Sequence, residues 1–123
     1  MLLDSNLIIY ASQPQHGALR KLIAREAPSV SVISKIETLG YHELGEKGQR
    51  FLEAFFDAAE VLPVSGSVVA AAIRLRQKRR MSLGDARIAG TVRSHGLPLA
   101  THNTKDFAWI EELEVIDPLA NAS

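Results

Sequence analysis

The sequence predicts a three-layer α/β/α sandwich around a central, mostly parallel sheet, and three observations predict it. Short apolar runs alternate along the chain with longer segments whose apolar residues recur at helical spacing. Parallel neighbouring strands need crossover connections, usually helical, so strands separated by helices imply a parallel sheet covered on both faces. No linker, repeat or low-complexity stretch interrupts the alternation over 123 residues, a length that fits one domain (1–123) and is too short for two ordinary ones.

Residues 1–4 read as a short buried strand ending at Asp4. Asn6 to Ala11 follows as a helical stretch stopped by Gln13-Pro14, and His16 to Ala27 as a second, broken by Pro28-Ser29. Val30-Ser31-Val32 is strand two; Ser34 then caps a helix that carries Ile36, Leu39 and Tyr41 toward Leu44, before a turn at Gly45 and Gly48. Lys47 to Ala59 sets Phe51, Leu52, Phe55, Phe56 and Ala59 on one helical stripe, read as core packing rather than as a partner groove. Val61 to Val64 is strand three. Ser65 or Ser67 opens a helix that passes through Val68 to Ala72 and ends near Arg79-Arg80; Ser82 caps the next, which reaches His95 and stops at Gly96. Leu97 to Ala100 is strand four, a brief helix fills Lys105 to Glu112, and Glu114 to Ile116 is the last strand.

Composition excludes several function classes. The chain is 46% apolar and 23% charged, as soluble globular proteins are, and no run of about 18 apolar residues could span a bilayer. It contains no cysteine, so a disulfide framework or thiolate metal site is impossible, and the opening MLLDSN lacks the features of a secretory signal. The expectation is a cytoplasmic protein without membrane contact. Fourteen basic and fourteen acidic residues cancel, so any nucleic-acid substrate must be held locally; Arg74, Arg76, Lys78, Arg79 and Arg80 form the densest basic run, which is also a solvated helix end. His16, His42, His95 and His102 show no i,i+4 pairing, which argues against a histidine zinc site, and His102 alone lies beside candidate site residues.

In open parallel sheets, ligands bind beyond the carboxyl ends of the strands, where the strand order reverses. That rule selects Asp4 after strand one and Thr101 and Asn103 after strand four, with Glu37 and Asp85 in the first turns of nearby helices and Asp106 a little further on. Carboxylates converging there repel one another, so either their pKa values rise or a cation neutralises them, and a hard divalent metal such as Mg²⁺ takes oxygen ligands of this kind. Each acid also has a purely structural reading. Asp4 suits an N-cap, Ser34-Lys35-Ile36-Glu37 matches a capping box, Ser82-Leu83-Gly84-Asp85 has cap spacing, and Asp106 suits a helix start.

Taken together, Leu2-Leu3-Asp4-Ser5-Asn6, Ser34-Lys35-Ile36-Glu37, Ser82-Leu83-Gly84-Asp85-Ala86-Arg87-Ile88-Ala89 and Ala100-Thr101-His102-Asn103-Thr104-Lys105-Asp106-Phe107 resemble, in order, the motifs of the PIN-domain family, particularly its VapC-like toxins. The resemblance spans nearly the whole chain and implies a PIN-like fold. It further implies that Asp4, Glu37, Asp85 and Asp106 are catalytic, metal-binding acids, with Ser5, Asn6, Thr101 and Asn103 as polar supports. Ser5 stands where relatives often carry threonine, and Asn103 where some carry aspartate, which leaves less negative charge for a second metal. The implied activity is an Mg²⁺- or Mn²⁺-dependent endoribonuclease, the toxin of a VapBC-like toxin-antitoxin module. Such proteins commonly form homodimers and accept a VapB-like antitoxin segment across the site. The competing reading is a non-catalytic PIN-like interaction protein whose acids serve only as caps.

Overall fold

A computed structural model describes residues 1–120; the last three residues of the 1–123 span lie outside it. In chain order the elements are β1 (Leu2–Leu3), α1 (Ser5–Ala11), α2 (Gly17–Glu26), β2 (Val30–Ser31), α3 (Val32–Leu39), α4 (Glu46–Ala58), β3 (Val61–Leu62), α5 (Gly66–Lys78), α6 (Leu83–His95), β4 (Leu99–Ala100) and β5 (Val115–Ile116), with a 3-10 turn at Thr104–Asp106 before β5. All strand pairs are parallel. β1, β4 and β5 form one sheet in that order, β2 and β3 pair separately, and a parallel bridge between Leu2 and Ser29 joins the two. Across the bridge the sequence of strands is β3-β2-β1-β4-β5, so the direction of winding reverses between β1 and β4.

Strand alternation sorts the core into two layers. Leu2 pairs with Leu99 and Leu3 with Ala100. Leu2 and Leu99 belong to the cluster containing Leu75, Ile88, Val92, Phe107 and Ile110, whereas Leu3 and Ala100 belong to the cluster containing Leu7, Ile8, Leu19, Leu52 and Phe56. The sheet therefore has α5 and α6 on one face and α1, α2 and α4 on the other, which is the predicted α/β/α sandwich. Leu52 and Phe56 are buried and Phe51, Phe55 and Ala59 pack against them, so the aromatic stripe is core.

Helix ends follow local chemistry. α2 stops at Ala27 in the left-handed region (φ 45°), just before Pro28, and α6 stops at Gly96 (φ 65°), where the missing Cβ makes that conformation inexpensive. Ser65 and Ser82 cap α5 and α6 through side-chain oxygens, as their positions predict. Several expectations are corrected. α3 starts three residues earlier than the capping-box reading requires, with Ser31 rather than Ser34 as its N-cap, and ends at Leu39; Val32 is helical rather than part of strand two. Ile36, an apolar residue of that helix, is 65% exposed. The Lys105 to Glu112 helix is only the 3-10 turn followed by irregular turns, and Asn103 offers it no side-chain cap.

The closest helix packing is between α5 and α6. A Cβ added at buried Gly90 would lie 2.7 Å from the Val68 carbonyl oxygen and 3.1 Å from the Ala72 amide nitrogen. Backbone atoms cannot yield as side-chain tips can, so Gly90→Ala forces the helices apart. Overpacking of this kind costs about 1–3 kcal/mol, against about 1 kcal/mol gained in helix propensity. Urea unfolding of Gly90→Ala is expected to show a net loss of up to about 2 kcal/mol; increased stability would contradict this account of the packing.

Candidate active site

The reversal between β1 and β4 opens the sheet's carboxyl edge where Asp4 leaves β1 and Thr101 leaves β4. Asp4 is the N-cap of α1: its Oδ1 accepts from the Ser5 amide at 2.8 Å. Its Oδ2 accepts from the Thr101 hydroxyl at 2.8 Å, and Thr101 Oγ1 in turn accepts from the Asn103 amide at 3.1 Å. Capping and site placement are thus two uses of one side chain. An ionised carboxylate has about four lone-pair positions, and these two bonds leave the rest free.

Glu37 sits in the second half of α3, not in its first turn, which removes the capping-box reading. Ser34 is buried inside the helix. The Ser5 hydroxyl lies 2.8 Å from Ser34 Oγ and 3.1 Å from Glu37 Oε1, with its single proton shared between those acceptors. The S-x-x-E spacing that suggests a cap at Ser34 conceals this contact with Ser5. Asp85 is in the first turn of α6, where its amide donates to Ser82 Oγ at 3.0 Å. Gly84 lies beside Glu37, with a Cβ position 4.0 Å from Glu37 Oε2, so α3 and α6 meet directly at the site.

Asp4, Ser5, Asn6, Glu37, Asp85 and Asn103 line one small pocket of about 130 Å³, together with Ser82, Gly84 and Ile88. Three larger cavities lie elsewhere on the molecule. Asp106 is exposed and outside that lining, but its charge reaches both Asp4 and Asp85. His102 turns away, with Nδ1 3.1 Å from Asp117 Oδ2 and its ring edge-on to Tyr10.

Burial pushes the Asp4 carboxyl above the ordinary carboxylate value; hydrogen bonds from Thr101 and Ser5 oppose the shift, and the charges of Glu37 and Asp106 add to it. Asp85 is raised likewise, first by burial and then by Asp4 and Asp106, against a hydrogen bond from Ser82. Among the described residues none of the four acids is in an ion pair. The pocket therefore concentrates negative charge without a protein cation. All of its polar side-chain donors to a metal would be oxygen atoms, from carboxylate, hydroxyl and amide groups, which suits a hard divalent ion rather than a soft one. Among the described residues, however, no three acids or histidines stand close enough to form a ready-made metal cage.

The profile of the PIN domain family matches residues 1–113. The chain belongs to the PIN domain family. The PIN fold is also shared with solved structures. A toxin-antitoxin complex from Klebsiella pneumoniae is 28% identical, with a TM-score of 0.77 over 95% of this chain and 96% of that one. DNA-bound VapBC from Salmonella typhimurium is 23% identical (TM-score 0.80, 95% and 96% covered), and FitAcB from Neisseria gonorrhoeae 24% identical (TM-score 0.78, 97% and 98% covered). At those identities the latter two speak to fold alone. No curated protein sequence matches the chain significantly. Among the described residues of this PIN domain, no helix is long and apolar enough to cross a membrane.

Proposed function

We propose that this PIN domain is a metal-dependent endoribonuclease, the toxin of a VapBC-like pair, with Asp4, Glu37, Asp85 and Asp106 as its catalytic and metal-binding acids. The observation that carries the reading is the buried Asp4 carboxylate at the strand-order reversal, sharing a pocket with Glu37 and Asp85 and lacking a cation. An N-cap alone gains nothing from burial beside further carboxylates; a divalent ion would remove that cost. Mg²⁺ needs only one or two protein carboxylates, the remainder being water and substrate phosphate, so the absence of a three-acid cage among the described residues is compatible with it.

Bound there, Mg²⁺ or Mn²⁺ would supply Lewis-acid stabilisation of phosphoryl charge and a more acidic water. The chain's own residues do the rest. Thr101 fixes the Asp4 rotamer from one side and the Ser5 amide from the other, while the Ser5 hydroxyl steers Glu37. Asn6 and Asn103 offer neutral polar groups at the pocket wall, and exposed Asp106, outside the lining, acts on Asp4 and Asp85 through its charge. RNA as substrate, hydrolysis leaving 3′-hydroxyl and 5′-phosphate ends, a VapB-like antitoxin and a cytoplasmic setting belong to the same proposal. The Klebsiella pneumoniae toxin-antitoxin complex supports the antitoxin part. The decisive experiment incubates purified protein with a mixed pool of structured and single-stranded RNAs in Mg²⁺, Mn²⁺ or EDTA. Cleavage only with metal is the expected result; identical cleavage in EDTA would end the reading.

A homodimer is part of the proposal because α5 leaves Val69 46% and Ile73 52% exposed one helical turn apart. Ile73→Asp places a charge in that stripe. Light scattering is expected to give a dimer for the wild type and at least about a tenfold weaker dimer for Ile73→Asp, since burying an unpaired charge costs several kcal/mol. A monomeric wild type at high concentration would remove the dimer from the proposal.

A further inference from the structure

The flank of the domain outside the acid pocket carries a second cavity, of about 420 Å³, lined by Lys78, Arg79, Arg93 and Trp109 above an apolar floor of Leu75 and Ile110, with Glu111 and Glu112 at its border. Its volume suits a small-molecule-sized group. The Arg79 guanidinium lies over the Trp109 ring, 5.3 Å from its centroid. Among the described residues none of Lys78, Arg79 and Arg93 is in an ion pair, although two carboxylates line the same cavity. Three unneutralised cations against two carboxylates leave an excess positive charge next to an aromatic-cation stack. A purely structural cation would be expected to use those carboxylates.

Two chain segments tie this cavity to the acid pocket. The Trp109 indole N–H donates to the Asp106 carbonyl at 3.1 Å, so the stack is anchored to the segment bearing the fourth acid. Arg79 leads through Arg80 and Met81 directly to Ser82, which lines the acid pocket. With zero net charge, the chain has no general attraction for a polyanion, and a local binding surface must supply it.

We infer that this cavity is a nucleotide subsite of the RNA-binding surface, holding the single strand that flanks the bond to be cut; the inference rests on the ribonuclease reading. Lys78, Arg79 and Arg93 meet phosphate, and a base packs against the Arg79-Trp109 stack and the Leu75-Ile110 floor. Stacking on aromatic rings and guanidinium planes is the usual way proteins hold unpaired RNA bases. Glu111 and Glu112 accept from base N–H groups, which favours a base that carries an amino group, such as cytosine.

Trp109 is the only tryptophan of the chain, so its fluorescence reports on the subsite. The probe is a 5′-labelled oligocytidylate titrated into the full chain in EDTA, which prevents cutting, with anisotropy measured in parallel. Saturable quenching of Trp109 is expected. Arg79→Ala should weaken binding about tenfold and lower the slope of log affinity against log salt by about 0.7, the contribution of one phosphate contact on a single strand. Arg25→Ala, in an exposed pair with Glu26 on α2, should change neither. RNA binding without quenching, absence of binding, or Arg79→Ala behaving like Arg25→Ala would each overturn the subsite. If RNA is cut with metal while those signals are absent, the subsite falls and the ribonuclease reading stands. Quenching and the Arg79 effect without cleavage in any metal would leave an RNA site and end the ribonuclease reading.

Discussion

Asp4→Asn and Asp85→Asn are each expected to reduce Mg²⁺-dependent RNA cleavage by about a thousandfold or more, with circular dichroism unchanged. Both substitutions preserve shape and remove charge. In Asp4→Asn the amide oxygen can still accept from the Ser5 amide, and the new NH₂ can donate to Thr101 Oγ1, because a hydroxyl both donates and accepts. What disappears is the anionic oxygen that a divalent ion would use. If both acids hold the same ion, the double variant loses little more than either single one, since parts acting as a unit are not additive. Glu37→Gln and Ser5→Ala should cost less, about 10–100-fold, because Glu37 is exposed and the Ser5 hydroxyl acts by orienting it. Steady-state cleavage of one labelled RNA at fixed Mg²⁺ measures the series. An Asp85→Asn enzyme within a few fold of wild type would remove Asp85 from the site.

The parts of this picture legible in the sequence are those fixed within one turn or one strand. Leu2-Leu3 followed by Asp4 reads as a buried strand ending in a cap, and alternation alone sends the two leucines to opposite core layers. Gly96 and Ser82 announced the two ends of α6. Ser34 and Glu37 show where such reading fails. Residues three apart lie on one face of a helix, so S-x-x-E spacing serves a capping box and equally a pair of oxygens turned toward a third residue. Only the position of Ser5 on α1, 29 residues before Ser34, decides between them. Likewise the Arg79-Trp109 stack and the His102-Asp117 contact join residues that no periodicity relates. The PIN-family motifs single out Asp4, Glu37 and Asp85, which the fold brings to one pocket, because they encode that long-range packing, which local physics cannot supply.

The second large effect concerns stability, and it separates a metal ligand from a structural cap by sign. Burial and neighbouring carboxylates raise the Asp4 and Asp85 pKa values in the folded protein above the ordinary 3.8. The metal-free folded state therefore binds these protons more tightly than the unfolded chain does. Their stabilising contribution is complete below about pH 3.8 and is lost as pH rises through the raised folded values. At pH 7, in EDTA, wild type carries the full cost of the buried charge, and Asp4→Asn escapes it. The variant should be more stable there, with the difference shrinking as the pH falls toward the ordinary carboxylate value. Saturating Mg²⁺ reverses the order, because an ion bound only to the folded state adds about 2.7 kcal/mol at a hundred times its Kd and Asp4→Asn binds it poorly. Urea unfolding of both proteins between pH 4 and 8, with EDTA or Mg²⁺, tests this directly. If Asp4 were only the cap of α1, the gain in EDTA would remain, because burial and the neighbouring carboxylates cause it, but Mg²⁺ would move neither protein. A crossing of the two stability curves on adding Mg²⁺ has no explanation in capping, since it requires the same carboxylate to be a liability alone and an asset with the ion.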